Sequence, residues 1–162
     1  MAKKESSLEK LKKDYDKIQK KYNLPDFKKL NEDFNIEKIS ETETEYLIRE
    51  VRRFMGEKFT NYLRFSEIIL NPINAPMFIL SVIKSIKSED RKKLTETYKK
   101  LSKIEVQSIE LEIEFSDTKE ADFIKESFKT WQEIKKDLLE LTETIKISWD
   151  DKFESNNKSY FG

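Results

Sequence analysis

SIELEIEF, residues 108–115, is the stretch on which the fold class turns. Ile109, Leu111, Ile113 and Phe115 share one parity, and Glu110, Glu112 and Glu114 share the other. A period of two is the mark of a half-buried strand, and here it would display three carboxylates as a ladder able to hold a cation. Turned at about 100° per residue, the same segment prolongs a helical pattern that begins upstream. Leu94, Tyr98, Leu101, Ile104, Leu111 and Phe115 then fall on one face, and Val106, Ile109 and Ile113 on the opposite one. Glu110 and Glu114 become an i,i+4 pair on one flank while Glu105 and Glu112 take the other, so the ladder dissolves and the cation site goes with it.

A strand would also need partners. ETIKISW, 143–149, is the other convincing alternating run, and two lone strands make a marginal sheet. No turn signal separates 88–104 from 105–115. A helix is therefore expected at 108–115, and it carries a demand. Val106, Ile109 and Ile113 need cover, either by docking of the N-terminal arm or by self-association with a second chain.

Working outward, Leu8, Leu11, Tyr15, Ile18 and Tyr22 follow a 3-4-3-4 spacing, which predicts an amphipathic helical arm over 1–24. Phe27, Leu30 and Phe34 predict a short helix after Pro25, and Ile36 and Ile39 anchor the link that follows. SETE at 40–43 reads as a capping box opening a helix to Leu70, with Gly56 in mid-helix where another helix comes close. Asn74 caps a nearly all-apolar helix running to about Ile86, which predicts a buried central helix. Asp117 and Glu120 form a second capping box ahead of a last helix carrying Ile124, Phe128, Trp131, Ile134, Leu138, Leu141, Ile145 and Trp149. Residues 25–152 are expected to form one bundle domain, and 153–162 a polar, disordered tail.

The residue inventory removes whole classes of chemistry. The 162-residue chain has no Cys and no His. Thiol nucleophiles, zinc ribbons, histidine-based triads and histidine metal ligands are thereby excluded. Two glycines, Gly56 and Gly162, cannot build a phosphate-binding loop. No catalytic, cofactor-binding or metal-binding residue is assigned, and no enzyme activity or cofactor is expected. Lys+Arg equals Asp+Glu at 32 each, which argues against a generic binder of nucleic acid or acidic membrane. The most apolar run, IILNPINAPMFILSVI at 68–83, is broken by two prolines, and each half is too short to span a bilayer. No signal peptide is visible, so a cytoplasmic location without membrane contact is expected.

Three charge features remain. Arg49, Arg52, Arg53 and Arg64 lie on one predicted helix with Tyr46 and Tyr62 nearby, and these six are candidate contacts to a partner or a phosphate group. Surface pairing of Glu45 with Arg49 and of Arg53 with Glu57, both i,i+4, would account for the arginines without any site. The stretch 105–126 holds eight acids against two lysines, net −6, and residues 1–30 hold ten lysines against five acids, net +5. A solvated acidic flank is the expectation for the first, and either internal docking or pairing of two copies for the second.

LPDFKKLNEDFNIEKI, REVRRFMGEKFTNYLRFSEIILNP and FKTWQEIKKDLLEL resemble small all-helical archaeal proteins of unknown function. That resemblance implies an all-α fold and brings no activity and no site residues. The expectation is an all-α bundle of five to six helices with long antiparallel helices and an N-terminal arm. Its expected role is that of a non-enzymatic protein–protein interaction or scaffold module, able to self-associate. The alternative is a nucleic-acid-associated protein using a local Lys/Arg surface.

Overall fold

The computed structural model describes the backbone of residues 6–159 and side chains as far as Asp151. Among the described residues the chain forms six α-helices, one 3-10 helix and no strand. They are α1 (Ser7–Tyr22), α2 (Phe27–Phe34), the 3-10 helix (Ile36–Glu41), α3 (Leu47–Leu70), α4 (Met77–Ile83), α5 (Ser88–Ile113) and α6 (Asp117–Ser159). The all-α class expected from the sequence holds, and 108–113 is helical. Among the described residues no helix is long and apolar enough to cross a membrane.

Internal contacts divide the residues into two compact units, where the sequence reading has one bundle over 25–152. The first comprises the described residues up to Thr60 together with Lys103–Thr130. The second comprises Asn61–Ser102 and the described residues from Trp131 onward. Helices α3, α5 and α6 each contribute residues to both.

In the first unit α1 is a docked element. Ser6 and Glu9 close a reciprocal capping box: Ser6 Oγ accepts from Glu9 N–H at 3.2 Å and Glu9 Oε2 accepts from Ser6 N–H at 3.1 Å. Leu11 and Tyr15 are buried, and the Tyr15 hydroxyl donates to the Pro25 carbonyl at 2.6 Å. Asn23 and Asn35 take the left-handed conformation that stops α1 and α2. Asp26 caps α2 by accepting from the N–H groups of Lys28 and Lys29. Residues 1–5 of the expected arm lie outside the described residues.

Helix α3 begins later than the capping box at 40–43 predicts. Ile36 and Ile39 bury themselves in the 3-10 helix that contains Ser40, and Thr42 leaves it in an extended conformation. The turn before α3 is supplied instead by Thr44 Oγ1, which accepts from Tyr46 N–H at 3.1 Å. Two hydrogen bonds fix the register of α3 against α5, Arg52 with Glu112 and Thr60 with Glu105, and between them Gly56 faces Ser108. As one sequence number rises the other falls, so the two helices run antiparallel.

In the second unit, Ile69, Leu94 and Leu141 form a core on which Phe65, Leu70, Ile83, Ile86 and Ile145 pack. Trp131, Ile134 and Leu138 are buried on α6, as their helical spacing predicts. Lys100–Glu133 at 3.0 Å and Lys93–Glu140 at 2.9 Å set α5 antiparallel to α6. Helix α4 departs from expectation. It is two turns long and exposes Met77, Phe78 and Leu80, and Val82 is its one buried side chain. Asn74 adopts a left-handed conformation, and the helix ends in i→i+3 bonds to Val82 and Ile83. So short a helix packs through one side whatever its composition. At the other end of the unit α6 remains helical to Ser159, through most of the stretch read as a tail, and residues 160–162 lie outside the described residues.

Gly56 is buried where α3 meets α5, yet a Cβ built there would lie 3.4 Å from Ser108 Oγ, an ordinary contact. The glycine therefore costs helix propensity without relieving a clash. Gly56→Ala is expected to stabilise the protein by roughly 0.5–1 kcal/mol. A urea unfolding curve measures this, and a lowered midpoint would mean that the two helices have no slack for a methyl group.

Candidate functional site

The arginines singled out in the sequence separate when their surroundings are examined. Arg52 points into the first unit and is 2% exposed. Its Nε donates to Glu120 Oε2 at 2.8 Å, and its Nη2 donates to Glu120 Oε1 at 3.4 Å and to Glu112 Oε1 at 2.6 Å. Its Nη1 donates to Ser108 Oγ at 3.3 Å. Glu120 is fully buried. One guanidinium from α3 thus binds side chains from both α5 and α6, with the fork geometry that distinguishes Arg from Lys.

Arg53 extends the network at the surface. Its Nε and Nη2 reach the two oxygens of Glu112 at 3.2 and 3.3 Å, and its Nη1 reaches Glu50 at 3.2 Å. Arg49 lies over the ring of Phe115, 4.3 Å from the guanidinium carbon to the ring centroid, and Tyr46 packs edge-on against the same ring. The i,i+4 pairs expected on this helix, Glu45–Arg49 and Arg53–Glu57, do not form. Arg49, Arg52, Arg53 and Tyr46 belong to this cluster. Arg64 and Tyr62 belong to the second unit, where Arg64 is exposed and Tyr62 stacks on Trp131 with centroids 5.2 Å apart.

Sequence reading missed the acids that the arginines use. Glu120 looks like the far half of a capping box with Asp117. In the structure Ser116 precedes the helix: its Oγ accepts from Lys119 N–H at 3.5 Å and its carbonyl from Glu120 N–H. The Glu120 side chain is left free to turn inward to Arg52. A signal was present in the sequence, since Glu120 is followed by Ala121, Phe123 and Ile124, all buried, and so shares their face.

The two carboxylates titrate in opposite senses. Hydrogen bonds from Arg53 and then Arg52 hold the Glu112 carboxyl down, from an ordinary 4.5 to about 2. Burial pushes the Glu120 carboxyl up, against the pull of Arg52. A depressed carboxyl contributes stability that is present above its unfolded pKa and is lost as pH falls through its folded value. A raised one has the reverse sign.

On the far side of α5 lies a groove of about 490 Å³ within the first unit. Leu111 and Phe123, both buried, form its floor. Glu110 from α5, Glu114 just past its end, and Asp122 and Glu126 from α6 line it, with Lys119 and Ile113. Ile113 is 81% exposed, and Val106 and Ile109 continue outward from it on the same helix at 57% and 52%. The docked α1 therefore leaves these three uncovered. Among the described residues no three acid side chains gather as a metal-ligand set. No family model, curated protein or solved structure matches the chain.

The Arg52–Glu120 pair is a latch whose halves depend on each other. Arg52→Met strands a buried carboxylate and is expected to cost roughly 3–5 kcal/mol. Adding Glu120→Met should recover most of that loss, because both charges then leave the interior together. Urea unfolding of the two single variants and the double variant tests this, and additive losses would show that the latch is not coupled.

Glu112 is 46% exposed, so solvent screening limits its contribution to about 1 kcal/mol. The melting temperature of Glu112→Gln is expected to fall below that of the unsubstituted protein at neutral pH. The gap should persist down to about pH 4.5 and close by about pH 2. Parallel thermal melts across that range measure it, and a gap that widens in acid would reverse the assigned sign.

Proposed function

We propose that this protein is a non-enzymatic helical interaction module whose docking surface is the α5 face carrying Val106, Ile109 and Ile113. One observation carries the reading. Three large apolar side chains at i, i+3 and i+7 stand more than half exposed on one helix face, beside an open groove. A contiguous apolar strip of this kind on a polar surface is what a binding partner covers. Covering it would contribute a few kcal/mol at ~25 cal/mol per Å² of apolar surface buried.

The reading is also supported by where the charges have gone. Arg52 and Arg53 are engaged by Glu112, Glu120 and Glu50, and Arg49 lies over Phe115. A nucleic-acid role that drew on these three arginines would set phosphate in competition with buried or bidentate carboxylates for Arg52 and Arg53, and would leave it the lysines and the exposed Arg64. The interaction reading asks nothing of them.

Ile109→Ser/Ile113→Ser removes the strip at exposed positions and should leave the melting temperature within a few degrees. The unsubstituted protein, used as bait in its source extract, is expected to retain a partner that the double variant loses. A second copy would register instead as a mass that rises with concentration and falls back to monomer in the variant. Identical capture by both baits, with a constant monomeric mass, would overturn the reading, and so would a shift of labelled nucleic acid at low salt that the double variant leaves intact.

A further inference from the structure

We infer that the groove walled by α5 and α6 in the first unit receives a lysine-rich amphipathic helix of another protein. The inference rests on the interaction reading above and adds the chemistry of the partner. It starts from the balance of charge around an apolar floor. Leu111 and Phe123 form that floor and Ile113 its lip. Four carboxylates line the groove against one lysine.

Those carboxylates are not equivalent. Glu114 is paired with Lys119 at 2.9 Å, and Asp122 with Lys125 at 3.0 Å. Glu110 and Glu126 have no cationic partner among the described residues, and they stand one on each wall. The groove therefore offers apolar contact in the middle and one uncompensated negative charge on either side. An α-helix with apolar residues at i, i+3 or i+4, and i+7 fits the floor, and lysines flanking that stripe place their stems on Ile113 and their ammonium groups at Glu110 and Glu126.

Other occupants fit less well. Two copies meeting groove to groove would set Glu110 and Glu126 against their own counterparts, a like-charge contact that disfavours a symmetric dimer here. The chain's own lysine-rich helix, α1, already spends Leu11 and Tyr15 on the core of the first unit.

The test uses fluorescence anisotropy with two labelled model helices of about 18 residues, one with a Leu face flanked by Lys and one with Glu in place of every Lys. The Lys helix is expected to bind the full-length protein at least about tenfold more tightly than the Glu helix, and to weaken as salt rises from about 0.05 to 0.5 M. Glu110→Gln/Glu126→Gln is expected to weaken it at least about fivefold, while Glu32→Gln on α2, outside the groove, leaves it unchanged. Thermal melts confirm that the variants are folded.

Equal binding of the two helices overturns the inference, as does absence of binding or an affinity indifferent to the double substitution. Such a failure leaves the interaction reading standing wherever Ile109→Ser/Ile113→Ser still loses its captured partner. Failure of both experiments removes the two together.

Discussion

The first unit depends on one buried guanidinium. Arg52 is held to Glu120 and Glu112 by three hydrogen bonds, and those acids lie 68 and 60 residues further along the chain. Burying a cation costs several kcal/mol unless its donors are matched, so Arg52 admits few arrangements of its neighbours. Glu120 must face inward from the first turn of α6, and Glu112 must lie on the α3 side of α5. Apolar packing alone would tolerate sliding of these helices past one another, whereas the bidentate pair specifies a register.

That constraint decides how the acids of 105–126 are spent. Glu112 pairs with Arg52 and Arg53, and Glu105 accepts from Thr60 on α3 at 2.7 Å. Both therefore turn toward α3. Glu110, on the other flank of the same helix, and Glu114, just past its end, are carried to the groove side. A stretch of net −6 is thus divided in two: Glu105, Glu112 and Glu120 turn toward α3, and Glu110, Glu114, Asp122 and Glu126 line a groove with an apolar floor. The chemistry available to a partner is what the latch leaves over.

The helical reading was legible for 108–113 because the apolar residues upstream share its phase and a helix is cooperative over that length, but α5 stops at Ile113 and leaves Glu114 and Phe115 of the expected helix outside it. The same turn of 100° per residue placed Glu105 and Glu112 on one flank and Glu110 and Glu114 on the other, which is how the structure uses them. Other features could not be read from local pattern. SETE at 40–43 has the composition of a capping box, but burial of Ile36 and Ile39 in a 3-10 turn outweighs a cap worth about 1 kcal/mol. Glu120 satisfies a local motif on paper and a tertiary demand in the fold, and the partner that decides between them is 68 residues away. Helix α4 misled for a related reason. A wholly apolar sequence has no phase, so it cannot say which face is covered or whether any is.

The contrast between α4 and the end of α5 shows what makes a surface informative. Both expose large apolar side chains: Met77, Phe78 and Leu80 on α4, and Val106, Ile109 and Ile113 on α5. The run 68–83 contains no charged residue, so its patch has attraction without selectivity, and any apolar surface would answer it. The α5 strip opens onto a groove with an uncompensated carboxylate on each wall, and those charges discriminate. A neutral apolar partner would leave Glu110 and Glu126 desolvated and unpaired, an acidic one would be repelled, and a cationic one gains from both. In the proposed interaction role, specificity would reside less in the exposed isoleucines than in the two glutamates that have no lysine partner among the described residues.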